Sequence, residues 1–187
     1  MYDLNKQYHE TEEKMKKSLE TVRNELAKIR SGRATTTLLD GVKVDYYGTP
    51  TPLNQVGNVS APEARLLTVQ PWEKGMVPAI EKAIREANLG LNPQNDGALI
   101  RIPIPPLNEE RRKELVKLGK KYAEEGKVAV RNVRRDANEH FKKAEKDHKI
   151  SEDDSKDAQD KVQKMTDNYI KKIDEMLVIK EKEIMEV

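Results

Sequence analysis

The chain has no cysteine, one tryptophan and one phenylalanine among its 187 residues. Without thiols there are no disulfides and no thiolate metal sites, and a reducing compartment suits the chain. With aromatics at 4%, any core has to be built from Leu, Ile, Val, Met and Ala. The net charge is only +2, from 35 Lys and Arg against 33 Asp and Glu, so global charge selects no partner and only its distribution can. No apolar run approaches the ~20 residues of a membrane-crossing helix. The opening residues, MYDLNKQYHETEEK, are polar and acidic from the start. They match neither a secretory signal nor an Arg-rich transit peptide, which predicts a cytoplasmic protein with no membrane partner. Proline is missing from both ends, for all nine lie between Pro50 and Pro106.

What remains is charge and helical period. Charged residues make up 36% of the chain, equal to the apolar share. Long helices that each bury one stripe fit those figures better than a compact globule. From Asp3 to about Ile29, Met15, Leu19, Val22, Leu26 and Ile29 recur at steps of four and three, a coiled-coil-like seam. Arg30-Ser31-Gly32 is expected to end that helix, with a cation in the last turn and glycine just beyond.

From about Ser31 to Pro106 the texture changes. Short runs such as GVKVDYYG, RLLTVQPW and ALIRIPI read as strands, bounded by turn residues. Val77 to Ala87 reads as a short helix with Pro78 in its first turn. Tyr46-Tyr47 reads as a strand end with one ring packed and one exposed, and Trp72 as an anchor of the small core. Helical spacing returns after Asn108, through Leu115, Leu118, Tyr122, Ala129, Val133, Ala137, Phe141 and Ala144 to about His148. Gly119 and Gly126 weaken this helix without breaking it. Ser151-Glu-Asp-Asp154 opens a third helix with a capping-box arrangement. Its stripe runs through Ala158, Val162, Met165, Tyr169, Ile173 and Met176.

Helices with one apolar stripe each need partners, and three can share a core. The expected architecture is therefore α+β with two domains. An elongated three-helix bundle takes residues 1–30 and 106–187, and a small β/α/β domain, 31–105, is inserted into it. Two short connections, at Arg30, Ser31 and Gly32 and at Ile104, Pro105 and Pro106, are expected to form a hinge.

One stretch carries a functional signal. VAVRNVRRDAN, residues 128–138, places Arg131, Arg134 and Arg135 within about one and a half turns. With Val133 taken as the centre of the buried stripe, Arg131 and Arg135 fall on the far side and Arg134 on the flank. Lys127 and Lys142 join the same outward sector. Two readings stand. A solvated face with i,i+4 ion pairs is the ordinary one. A phosphate-binding strip is the other, since Arg suits phosphate forks and base stacking. Lys28, Arg30 and Arg33 form a second basic group. For Arg30 the helix dipole supplies an ordinary reason, and for Arg33, past the helix end, it serves less well.

No Walker loop, G-x-G-x-x-G, G-x-S-x-G or H-E-x-x-H occurs. His140 and His148 lie about two turns apart, too far for a shared ligand pair. The paired acids Glu109-Glu110 and Asp153-Asp154 sit at helix starts, where the dipole accounts for them. This predicts a protein without catalytic site, metal or cofactor. A coiled-coil adaptor that binds RNA is the rival class, separated by solution mass, because an adaptor is more often an oligomer.

KIRSGRAT (28–35), DYYGTPTPLNQ (45–55), LGLNP (89–93), IRIPIPPLNEERRKEL (100–115), VAVRNVRRDAN and ISEDD (150–154) together resemble the bacterial ribosome recycling factor family, in order and over essentially the whole chain. The resemblance implies an L-shaped monomer of tRNA-like dimensions, with the inserted domain swinging about a two-strand neck. It implies binding to the ribosome after termination through large-subunit ribosomal RNA, with the arginines at Arg131 and Arg134 taking part. It also implies elongation factor G as a partner, whose GTP hydrolysis drives splitting of the subunits and release of mRNA and deacylated tRNA. Lys127, Arg135, Arg30 and Arg33 join Arg131 and Arg134 as the expected RNA-binding set.

Overall fold

The computed structural model describes residues 2–186 and falls into two compact units. One gathers the chain up to Arg30 with Glu110 to Met185, and the other spans Ser31–Glu109.

The first unit is three helices. α1, Leu4–Lys28, starts where Asp3 Oδ1 accepts the Lys6 N–H at 3.1 Å. That side chain satisfies one of the donors a helix start leaves unpaired. Met15, Leu19, Val22 and Leu26 are its buried seam. α1 ends at Ile29 in an extended conformation, so Gly32 is not its capping glycine. Gly32 instead has φ +76°, and a Cβ there would lie 2.8 Å from Leu107 Cγ. Both the backbone and the close approach call for glycine.

α3, Glu109–Lys146, is 38 residues long, roughly 57 Å at 1.5 Å per residue. Its end is a Schellman motif. Lys149 N–H donates to Ala144 O at 2.8 Å and His148 N–H to Glu145 O at 2.9 Å, with His148 at φ 55° where glycine is usual. α4, Glu152–Met185, begins with the reciprocal box the sequence announces. Ser151 Oγ accepts the Asp154 N–H at 3.0 Å, and Asp154 Oδ2 accepts the Ser151 N–H at 3.4 Å.

The three helices meet through glycines. A Cβ on Gly126 would collide with Val22 Cγ2 and lie 3.5 Å from Ile173 Cδ1, and one on Gly119 would be 3.4 Å from Leu177 and 3.7 Å from Leu26. These neighbours run α1 and α4 together, both antiparallel to α3. The sequence treats the two glycines as weak points, whereas they are where the rods approach. The buried stripe of α3 is therefore Leu115, Gly119, Ala123, Gly126, Val130, Ala137, Phe141 and Ala144, with Val130 rather than Val133 at its centre. In α4, Thr166 and Ser155 are buried beside Ala158, Val162, Tyr169 and Ile173. Thr166 donates its hydroxyl to Val162 O at 2.8 Å, so a polar group fits the core at little cost.

The inserted unit holds a hairpin, β1 (Lys43–Tyr46) and β2 (Thr49–Pro52), and a second antiparallel sheet. That sheet contains β3 (Gly57–Glu63), β4 (Leu66–Pro71), β5 (Gln94–Asn95) and β6 (Ile100–Pro103), in the order β3-β4-β6-β5. Tyr47 (φ 49°) and Gly48 (φ 86°) make the two-residue hairpin turn, in which both residues need positive φ. β6 alternates, with Ile100 and Ile102 buried and Arg101 and Pro103 exposed. Helix α2, Val77–Glu86, closes the core with Val77, Ile80 and Ile84, over Val44, Leu53, Leu67 and Val69. Pro at the start of α2 costs no hydrogen bond, because the first N–H groups of a helix have no partner within it.

Trp72 does not anchor this core. It is 67% exposed and lines an open cleft of about 490 Å³ with Thr36, Asp40, Asn54 and Asn58. The core is filled by Ile, Val and Leu, and Trp72 lies one residue past β4, where alternation turns it outward after buried Pro71.

Candidate nucleic-acid interface

Moving the centre of the α3 stripe to Val130 rotates the basic strip. At ~100° per residue, Arg134 falls about 40° from Val130, Lys127 about 60°, Arg131 about 100° and Arg135 about 140°. The strip therefore climbs from the edge of the core to open solvent instead of lying wholly on the far face.

Side-chain contacts follow that order. Arg134 is half-buried, and its Nη1 donates to Gln163 Oε1 on α4 at 3.1 Å. Gln163 in turn donates to Asp167 Oδ1 at 2.9 Å, so a neutral amide held by a carboxylate orients the guanidinium. Lys127, expected to face outward, does not. Its side chain is 19% exposed, and its Nζ lies 2.9 Å from Asp174 on α4 and 3.4 Å from Glu124. The hydrogen bond to Asp174, ahead of any other influence, raises the Lys127 pKa. Arg131 is 42% exposed and donates from Nη1 to Glu124 Oε1 at 3.3 Å. Lys127 first, then Arg131, holds the Glu124 carboxyl below its ordinary range. Arg135 is exposed, as is Lys142.

Ion pairing thus accounts for two of the five strip cations, and at spacings other than i,i+4. Lys127 and Arg131 are matched by carboxylates, whereas Arg134 is held by an amide and has no carboxylate partner among the described residues. Glu124 is legible in the sequence as the acid at i−3 and i−7. Asp174, Gln163 and Asp167 are not, because they come from another helix.

The second basic group is looser. Lys28 Nζ pairs with Glu25 at 3.2 Å, while Arg30 and Arg33 are both exposed. Among the expected hinge residues, Ser31 and Gly32 are half-buried and Pro105 and Pro106 exposed. Ile104 is part of the inserted unit's core, and its N–H donates to Arg65 O at 2.9 Å. Tyr46 and Tyr47 donate to the two oxygens of Glu73 at 2.7 and 2.9 Å, with their rings edge to face. Among the described residues no cluster of His, Cys, Asp and Glu fits a metal ion, and no helix is long and apolar enough to cross a membrane.

Fold and strip together define a class, a helical-bundle protein with an inserted α/β unit and a cationic edge along its longest helix. The chain belongs to the ribosome recycling factor family, whose model matches residues 22–185. It is 58% identical over 178 residues to the ribosome-recycling factor of Oleidesulfovibrio alaskensis, covering 95% of this chain and 97% of that one. It is 56% identical over 184 residues to that of Heliobacterium modesticaldum, covering 98% and 100%. Among solved structures, a solution structure of the ribosome recycling factor matches with a TM-score of 0.72 at 48% identity, covering all of both chains. The T. thermophilus ribosome recycling factor, bound with E. coli elongation factor G to the E. coli post-termination complex, matches at 0.63 and 49%, covering 98% of this chain and 100% of that one.

Proposed function

We propose that this protein recycles ribosomes. It binds the post-termination ribosome through large-subunit ribosomal RNA and, with elongation factor G and GTP hydrolysis by that factor, separates the subunits so that mRNA and deacylated tRNA leave. It acts as a monomer in the cytoplasm and has no catalytic chemistry of its own. Support comes from family membership together with the partners that the similar T. thermophilus factor has in its complex.

The observation that carries the RNA reading is Arg134, pre-positioned by Gln163 on a three-helix unit and without a carboxylate partner among the described residues. A guanidinium already ordered loses little entropy on meeting phosphate. Arg135 and Arg131 extend the contact along α3, Lys127, paired with Asp174 of α4, flanks it, and Arg30 and Arg33 supply a second contact. The chain segments at Arg30, Ser31 and Gly32 and at Pro105-Pro106 are the proposed pivot. Ile104 joins it only as the anchor on the inserted side.

Arg134→Glu tests the reading. It should weaken binding to large subunits by about tenfold or more and flatten the salt dependence, because one phosphate contact is lost and a repulsion gained. Splitting should fall with it, while helical ellipticity stays unchanged. Wild-type binding by this variant would remove the strip from the mechanism.

A further inference from the structure

Glu124 has an unusual place. It is an acid inside the basic strip, and its two oxygens face two of the strip's cations, Arg131 at 3.3 Å and Lys127 at 3.4 Å. Asp174 holds Lys127 from the other side at 2.9 Å. Two carboxylates therefore stand against two cations at one end of the strip, while Arg134 and Arg135 have no carboxylate partner among the described residues. Glu124 is 59% exposed, so packing does not require it. Glutamine serves a helix interior equally well at this position. Glu124 occupies the Nη1 side of Arg131, so a phosphate that binds the guanidinium on that side takes the carboxylate's place.

We propose that Glu124 is an intramolecular competitor for phosphate, keeping Arg131 out of the RNA contact until a correctly placed phosphodiester takes the carboxylate's position. This rests on the RNA-binding reading of the strip. Arg134 and Arg135 then make the first contact, and Arg131 joins only where the RNA backbone presents a phosphate at its own position. An RNA whose phosphates do not fit gains nothing from Arg131 and is repelled by Glu124. The residue thereby sets specificity and limits the grip of a factor that has to leave after each round.

The test is sedimentation of the full-length protein with isolated large subunits across a salt series, for wild type, Glu124→Gln, Glu124→Ala and Arg134→Glu. On large subunits Glu124→Gln should bind about threefold tighter or more at low salt with an unchanged slope of log K against log salt, because Arg131 reaches its phosphate in both proteins. On a non-ribosomal RNA duplex in the same salt series, where wild-type Arg131 stays with the carboxylate, Glu124→Gln should steepen the slope by about 0.7–0.9, one freed cation, and Glu124→Ala should do the same without any hydrogen bonding by the new side chain. Equal steepening on both RNAs, or none on the duplex, would overturn the competitor role. If both Glu124 variants keep the wild-type slope and affinity while Arg134→Glu binds weakly, the competitor role fails and the RNA reading stands. If Arg134→Glu also binds as wild type, both are overturned.

Discussion

Replacing Gly126 with alanine sets two opposed effects against each other at the crossing of α1 and α3. Alanine is the better helix former by about 1 kcal/mol, so a glycine in the interior of a long helix normally gains from the change. Here the new Cβ would collide with Val22 Cγ2. Val22 is 2% exposed and cannot swing into solvent. Being β-branched within a helix, it has one strongly preferred rotamer. Overpacking of this kind costs about 1–3 kcal/mol, and a stiff neighbour at so short a distance favours the upper end. The net result should be a loss of about 1–2 kcal/mol, a few degrees in melting temperature. Val22→Ala alone should cost about 1–3 kcal/mol by leaving a void. With the valine methyls gone, Gly126→Ala should become neutral or stabilising by up to about 1 kcal/mol, so the two effects should couple by about 1–3 kcal/mol. Thermal and urea melts of the four proteins, followed by far-ultraviolet ellipticity, measure this directly. A Gly126→Ala protein that melts at or above wild type, or effects that simply add, would refute the close approach.

Other outcomes follow from local geometry. Ser151→Ala removes the acceptor for the Asp154 N–H at the start of α4 and should cost about 0.5–2 kcal/mol in the same melts. Glu73→Gln should lower the ionisation range of two of the six tyrosines in an ultraviolet pH titration. The hydrogen bond to the Glu73 carboxylate is what chiefly raises Tyr46 and Tyr47 above 10.0. The same bonds, Tyr46 first, depress Glu73 below 4.5. A depressed carboxyl stabilises above its unfolded pKa, and a raised phenol stabilises below its own. The cluster should therefore hold at neutral pH, loosening as pH falls below 4.5 and as it rises beyond 10.0.

Much of the first unit is legible because its signals are periodic or local. The seam of α1, the Ser151–Asp154 box and the return of helix after Asn108 each rest on residues a few positions apart. What escapes depends on partners far along the chain. Gly119 and Gly126 look like defects until α1 and α4 are laid against them. Read as weak points, they leave the stripe centred on Val133 instead of Val130, which turns the arginines by about a sixth of a turn. Lys127 consequently reads as solvent-facing from α3 alone, whereas Asp174 on α4 claims it. The α3 end has no glycine to mark it, because His148 takes the left-handed position. Trp72 reads as a core residue from its type, but a small core already filled by Ile, Val and Leu leaves its ring outside.

That exposed indole has a practical consequence. It is the chain's single tryptophan, and it belongs to the inserted unit. Its emission thus reports that unit with no background from the three rods, whose own far-ultraviolet signal dominates the helical spectrum. One sample in denaturant carries two separate optical channels, and any gap between their midpoints measures how independently the two halves of the molecule come apart.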